Sequence, residues 1–349
     1  MRILSCFLLL AGPMKVLAET CLPGGGGVIE LFSRDYRLEF SNGEEFKLKG
    51  VNWFVFETSL YVVHGLWAQT IDYFLDFLVT NKFNAVRLPL LVDVVLGDPK
   101  PPSYDFLSCF FDGDISSLEA LDYLIARLGE LGILVLFDQH RLNSGSISLC
   151  YADATHPEAT IEAFWDVLIE CYSTSWNVMG VDLKNEPHEC EWQDWVNFAK
   201  RMGKKILQQV PRWLVFVEDI GANVQDEDRN CVTCNDGTFW GENLMGVCGY
   251  PVMFDSQEKL VYSPHVYGPS IYQQTYFSES GFPANMPDIW ECHFGFLHRG
   301  VNSVNVDKNA VVVGEWGGEY TDSNKAKDRT WQDAYVAWHM SKGIPGTFY

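Results

Sequence analysis

Short apolar runs punctuate the chain, each ending in polar residues. They are Leu48–Phe54, Asn84–Leu90, Ile133–His140, Val178–Glu186, Trp213–Glu218, Leu260–Tyr267 and Ala310–Glu315. Between most of them, apolar positions recur at helical spacing. Gln69–Val79 puts Ile71, Phe74, Leu75 and Leu78 on one face, and Ser117–Leu131 does so with Leu118, Leu121, Leu124, Ile125 and Leu128. Pro157–Cys171 and Trp192–Val210 read as further helices. Strands that are apolar throughout, separated by helices, predict a parallel sheet covered on both faces. Repetition over about 300 residues predicts an α/β fold of the (β/α)8 TIM-barrel type, which typically takes ~250 residues plus insertions. A doubly wound open sheet is the alternative, but no G-x-G-x-x-G follows the first strand. Seven strands are counted. An eighth begins at Gly346-Thr-Phe-Tyr349, where the sequence stops.

In such a barrel the reactive groups sit where the strands finish. The endings read Arg87-Leu-Pro, Asp138-Gln-His140-Arg141, Asn185-Glu186-Pro187-His188, His265-Val-Tyr267 and Glu315-Trp316. Two glutamates, Glu186 and Glu315, thus close apolar strands. Cleavage of a glycosidic bond needs two carboxyl groups, one holding a proton for the leaving oxygen and one ionised. Taken singly, Glu186 could equally be a helix-start carboxylate and Glu315 an ion-pair partner. Together, with Asn185 and Tyr267 at matching strand ends, they point to glycosidic chemistry. Arg87 and Tyr267 would hold Glu315 ionised as the nucleophile, which leaves Glu186 as acid and then base. Asn185 would bind the sugar 2-hydroxyl.

Composition narrows the choice. Of 349 residues, 46 are Asp or Glu and 25 Lys or Arg, a formal net charge of −21. Such a surface repels phosphate and anionic lipid, so nucleic acid and bare membrane are excluded as partners. Aromatics reach 14%, which suits either a large aromatic core or a groove that stacks on sugar rings. Arg2, the apolar run Ile3–Gly12 and the Val16-Leu17-Ala18 triplet form a secretory signal over residues 1–18, leaving 19–349 as one secreted domain. That run is half the ~20 residues of a membrane span. Ten cysteines fit an oxidising compartment. Cys6 leaves with the signal, so an odd number remains. Cys231-x-x-Cys234 lacks a second such pair or a His pair and reads as a disulfide rather than a zinc site. Asp226-x-Asp228-x-Asn230 opens like a calcium loop, but Cys231 and Gly237 stand where Gly and Glu are needed. No metal or cofactor is expected.

These strand endings carry a resemblance. Val51-Asn-Trp-Phe, Phe56-Glu-Thr, His64-Gly-Leu-Trp67, Phe83-Asn-Ala-Val-Arg-Leu-Pro89, Asp138-Gln-His-Arg141, Asp182-Leu-Lys-Asn-Glu-Pro-His188, Tyr262-Ser-Pro-His-Val-Tyr267 and Gly314-Glu-Trp-Gly317 occur in the order of glycoside hydrolase family 5. The chain resembles the family's endo-β-1,4-glucanases from about residue 28 onward. The resemblance implies a TIM barrel and a retaining mechanism, with Glu186 as acid/base and Glu315 as nucleophile. It places Arg87, His140, Asn185, His265 and Tyr267 around the cleavage site. Trp67 and Trp240 match sugar-stacking positions and Gln274 a sugar hydrogen-bonding one, although core packing explains either Trp taken alone equally well. The implied partner is a β-glucan polysaccharide or oligosaccharide, bound by a monomer. β-Mannan, mixed-linkage glucan and a non-catalytic carbohydrate-binding role are the alternatives. Val266 stands where relatives often have Asp. The family also has an eighth strand that continues into a Trp and an Asn-Pro segment. The expectation is therefore a barrel lacking its eighth strand and helix, with open edges on strands one and seven.

Overall fold

The apolar runs form strands, and so does the short stretch at the end of the sequence. The structure, a computed structural model, describes residues 28–101, 115–145, 147, 149–221, 234, 237–298, 307–321 and 326–349. The signal segment 1–18, Cys231 and the Asp226–Asn230 stretch lie outside the described residues. A small antiparallel sheet comes first, with β1 (Leu31–Arg34), β2 (Arg37–Phe40) and β3 (Glu45–Phe46) in that order. The alternating part follows as β4 (Leu48–Asn52), α1 (Ile71–Thr80), β5 (Ala85–Leu91), α2 (Val92–Gly97), α3 (Ser117–Glu130), β6 (Leu134–Arg141), α4 (Glu158–Tyr172), β7 (Val178–Asp182), α5 (Trp192–Gln209) and β8 (Leu214–Val217). Then come β9 (Leu260–Tyr262), β10 (His265–Tyr267), α6 (Met286–His293), β11 (Ala310–Val311), β12 (Glu315–Gly317), α7 (Ala326–Lys342) and β13 (Gly346–Phe348). The helices begin where local chemistry allows. Thr70 caps α1 through its side chain, and Ser116 with Glu119 forms a capping box on α3.

Eight parallel strands run in the order β11-β9-β8-β7-β6-β5-β4-β13. The expected gap at the eighth stave is absent. Gly346–Phe348 pairs with Leu48–Gly50 on one side. On the other it bridges Val313: the Phe348 N–H donates to the Val313 carbonyl at 2.9 Å, and the Val313 N–H to Gly346 at 3.3 Å. Three residues suffice because the facing part of strand seven is equally short. Phe348 is fully buried inside the barrel. Its ring occupies the space where a Cβ on Gly50 would fall only 2.2 Å away, so this approach requires glycine at position 50.

The strand sequences sort their side chains by alternation. Leu48, Ala85, Leu134, Leu136, Leu214, Phe216, Val261 and Phe348 fill the barrel interior, joined by Leu31 and Leu38 of the leading hairpin. Val86, Leu88, Val135, Phe137, Val181 and Val215 face the other way, into the larger core shared with the helices. Strands six and seven are each interrupted, β9 from β10 at Ser263-Pro264 and β11 from β12 at Val312–Gly314. Their second halves pair separately, His265 opposite Glu315. Disulfides join Cys150 to Cys190 and Cys234 to Cys292, so Cys234 is not closed on Cys231 as the C-x-x-C spacing suggested. Among the described residues no helix is long and apolar enough to cross a membrane.

Candidate active site

Parallel pairing sets the site. His265 and Glu315 are register partners on β10 and β12, so their side chains leave the sheet on the same side. Gly314 makes this possible. A Cβ there would lie 2.4 Å from Ser263 Oγ and 2.8 Å from His265 Nε2. Glu186 follows β7 after a short turn, with φ of 46°, a left-handed conformation unusual for a non-glycine residue. Its N–H donates to Glu218 Oε2 at 2.7 Å. His265 Nδ1 is 3.1 Å from Glu186 Oε1 and 3.7 Å from Glu315 Oε2. One oxygen from each glutamate and a ring nitrogen of His265 all lie within 4.8 Å of one another.

Beneath the two glutamates Arg87 is completely buried. It contacts Glu315 Oε1 at 2.7 Å, Asp182 Oδ2 at 3.0 Å, Glu218 Oε1 at 3.1 Å and Asp138 Oδ2 at 3.1 Å. It also donates to Asn185 Oδ1 at 3.1 Å and Asn52 Oδ1 at 3.2 Å. The Tyr267 hydroxyl donates to Glu315 Oε2 in a short hydrogen bond. Asp138 links Arg87 to His140, whose Nδ1 lies 2.6 Å from Asp138 Oδ2.

This arrangement separates the proton affinities of the two glutamates. Burial alone would raise Glu315, but the positive charges of His265 and Arg87 overcome it. With His140 and the Tyr267 hydroxyl they hold its pKa down at about 2. Glu186 goes the other way. Burial raises it above the ordinary carboxylate value, and the charges of Glu315 and Glu218 add to the rise, against the opposing pull of His265. His265 is pushed well above the usual histidine range despite its burial, because Glu218, Glu315 and Glu186 surround it. Burial and the neighbouring Glu218 push Asp182 well up as well. Burial lowers Lys184 to about 8.

Seven of the residues named from the sequence meet in one network: Glu186, Glu315, Arg87, His140, Asn185, His265 and Tyr267. Their depth differs from the expectation of a rim. Arg87, Asn185 and His265 are at most 1% exposed and form a floor behind the glutamates. Trp240 is 47% exposed and stacks on His188 with ring centroids 4.0 Å apart. His188 in turn contacts the Glu186 carbonyl at 2.7 Å, which puts Trp240 beside the acid/base candidate. The Trp240 loop is held to α6 at two points, by Cys234–Cys292 and by Glu242 against His293 at 3.1 Å. Trp67 is 42% exposed on the loop after β4, edge-on to His64. The exposure of both Trp residues disfavours simple core packing. Gln274 donates to the Thr238 carbonyl at 3.0 Å, so part of its amide is already occupied.

Sequence reasoning passed over Glu218, Asp182, Asp138 and Asn52. Glu218 closes an apolar strand just as Glu186 and Glu315 do, and the same criterion finds it. Two triads, Asp182/Glu218/His265 and Glu186/His265/Glu315, have the spacing of metal ligands. In the first, both carboxylates already bind Arg87, which supplies the positive charge that a cation would bring.

Two close carboxyl groups with opposed proton affinities, at the C-terminal mouth of a (β/α)8 barrel, are the equipment of a glycoside hydrolase. The chain belongs to glycosyl hydrolase family 5, the cellulase family, whose sequence model matches residues 41–349. It is 37% identical to the major extracellular endoglucanase of Xanthomonas campestris over 349 residues, 97% of this chain and 68% of that protein. It is 33% identical to an endoglucanase of Paenibacillus polymyxa, over 88% of this chain and 76% of that protein. Among solved structures it is similar to an endocellulase from Pyrococcus horikoshii in complex with cellotetraose. That likeness has a TM-score of 0.82 and 34% identity, and covers 92% of this chain and 90% of that one. The catalytic domain of the Xanthomonas enzyme gives 0.81 at 36% identity, covering 91% and 90%.

Proposed function

We propose that this protein is a secreted, monomeric endo-β-1,4-glucanase that cleaves cellulose-like chains with retention of anomeric configuration. Glu186 protonates the glycosidic oxygen while a Glu315 oxygen attacks the anomeric carbon. The sugar is then held as an ester of Glu315. Water attacks that ester, Glu186 takes the water's proton, and Glu315 leaves as a carboxylate. A carboxylate whose conjugate acid has a pKa of about 2 is a good leaving group for this second step. The nearest carboxylate oxygens lie within 4.8 Å. This supports retention, since retaining pairs sit ~5–5.5 Å apart and inverting pairs ~6.5–9.5 Å, with room for a water. Trp67 and Trp240 offer exposed indole faces for glucose rings. The names of the relatives, including one solved with cellotetraose, support β-glucan as the substrate class.

The observation that carries this reading is the geometry of Glu186 and Glu315, which flank His265 with carboxylate oxygens within 4.8 Å and have proton affinities shifted in opposite directions. Reducing-sugar release from soluble cellulose, mannan and mixed-linkage glucan tests the substrate. Glu315→Ala tests the chemistry. It is expected to abolish hydrolysis, and added azide is expected to restore part of the rate with a product of inverted configuration. Unchanged activity in this variant refutes the assignment.

A further inference from the structure

We infer that Glu218 is a positioning residue for the general acid, clamping Glu186 by its main chain and, through His265, by its carboxyl group. The inference rests on the acid/base role proposed for Glu186. Glu218 directly follows β8 and is completely buried. Its Oε2 accepts the Glu186 N–H at 2.7 Å. Its Oε1 lies 3.2 Å from His265 Nε2, and the other nitrogen of that ring lies 3.1 Å from Glu186 Oε1. The contacts close on themselves: Glu186 main chain, Glu218, His265, Glu186 side chain. Among the described residues, no other carboxylate is seen to touch both the backbone of Glu186 and the ring that holds its side chain.

The chemistry explains why a carboxylate stands here. Two N–H donors meet the two oxygens, the Glu186 N–H at Oε2 and Arg87 NH2 at 3.1 Å from Oε1, and His265 Nε2 stands 3.2 Å from Oε1 as an ion-pair contact. An ionised carboxylate only accepts, whereas a glutamine amide must turn its NH2 group toward one of these donors. The main-chain bond matters because Glu186 sits in a left-handed conformation. Such strain persists only where the surroundings over-determine it. The neighbouring loop also leaves room for the clamp. A Cβ on Gly241 would come within 2.9 Å of Glu218 Oε2, so Gly241 lets that loop pass over Glu218 without displacing it. At its own main chain Glu218 is fixed by Trp195, whose Nε1 donates to the Glu218 carbonyl at 2.7 Å.

A loosened acid delivers its proton poorly, and a displacement of about 1 Å can cost ~100-fold in rate. The loss should therefore depend on how much the leaving group needs a proton. Glu218→Gln is compared with the parent on cellotetraose and on 2,4-dinitrophenyl β-cellobioside, whose phenolate departs unprotonated. The expected kcat on cellotetraose falls about 10- to 100-fold with KM within about threefold. The expected kcat/KM on the dinitrophenyl substrate stays within about fivefold, because that step makes little demand on the acid. The ratio of the two is taken on one preparation, so a partly folded sample does not alter it. Glu218→Asp, which keeps the charge but shortens the reach, carries the same test if Glu218→Gln does not fold. Equal losses on both substrates, or none on either, overturn the inference. Glu186→Gln is run in parallel. If it discriminates between the substrates and the Glu218 variants do not, only the role of Glu218 falls. If Glu186→Gln shows no discrimination, the acid assignment fails and the clamp with it.

Discussion

Tyr267→Phe removes one hydroxyl and keeps the ring that packs edge-on to Phe239. The hydroxyl donates to Glu315 Oε2, and burial together with the Glu315 charge keeps its proton in place well above the usual tyrosine range. It is therefore a donor at every pH at which the enzyme works. A hydrogen bond to a charged group contributes ~1.5–3 kcal/mol. At ~1.4 kcal/mol per tenfold change, its loss moves the Glu315 pKa up by about one to two pH units. The donor favours the ionised form, so its removal makes protonation easier. From about 2 in the parent, the variant value becomes roughly 3–4. The acid limb of kcat/KM, which reports the free enzyme, should shift upward by that amount on cellotetraose. Stability follows the same sign. Glu315 is depressed from 4.5 to about 2. That depression stabilises the fold by roughly 3 kcal/mol above the unfolded pKa, and the stabilisation disappears as pH falls through the folded pKa. In Tyr267→Phe part of this contribution is gone, so acid unfolding should begin at higher pH. An acid limb unmoved within about 0.3 pH units, or moved downward, refutes the claim that this hydroxyl helps hold Glu315 ionised.

Other consequences are equally direct. The raised pKa of Glu186 places the basic limb of the parent profile above the ordinary carboxylate range; Glu186→Gln should erase that limb and cut kcat/KM on cellotetraose by ~10²–10⁴. A basic limb that survives in this variant excludes Glu186 as its source. Gly314→Ala drives a methyl group into Ser263 Oγ and His265 Nε2. It should cost about 1–3 kcal/mol by overpacking and depress activity more than stability, read as kcat beside a denaturant midpoint. Phe348→Ala empties a fully buried position inside the barrel. It should destabilise by about 3–5 kcal/mol in guanidinium titration, and a change below ~1 kcal/mol contradicts the tight fit against Gly50.

The parts of the fold legible in the sequence share one cause. Strands buried on both faces are mostly apolar, so β5, β6, β7 and β8 stand out as apolar runs. Their ends turn polar where the barrel meets its mouth, and this located Glu186, Glu315 and Arg87. The leading hairpin is not legible, because β1 to β3 are short and half their positions are only partly buried. α7 carries the buried Trp331, Tyr335 and Trp338 among many polar residues, and its weak apolar stripe gives little periodic signal. β13 is hard to recognise as a full strand from sequence, because three residues carry almost no pattern. Pairing partners on both sides, not length, make it a stave. Depth at the site was also hidden. Arg87 reads as a rim residue from the sequence, but it lies inside β5, where Asp138, Asp182, Glu218 and Glu315 close over it.

The barrel is unevenly sewn. β5 and β6 share seven register partners, whereas β11 meets β9 at two and β13 meets strand seven through a single bridge at Val313 and Thr347. The weakest join thus lies just below Glu315 on strand seven. Local opening free energies follow how much a segment buries and bonds. The amides of Val311, Val313 and Phe348 should therefore exchange with deuterium sooner than those of β5 and β6, although all are buried. A sugar chain bound across the mouth, touching loops on both sides of this seam, would act as a staple. Binding to the closed state alone stabilises by RT ln(1 + [L]/Kd), and that protection should be concentrated at the seam. Substrate would then guard the strand of the proposed nucleophile, Glu315, against fraying.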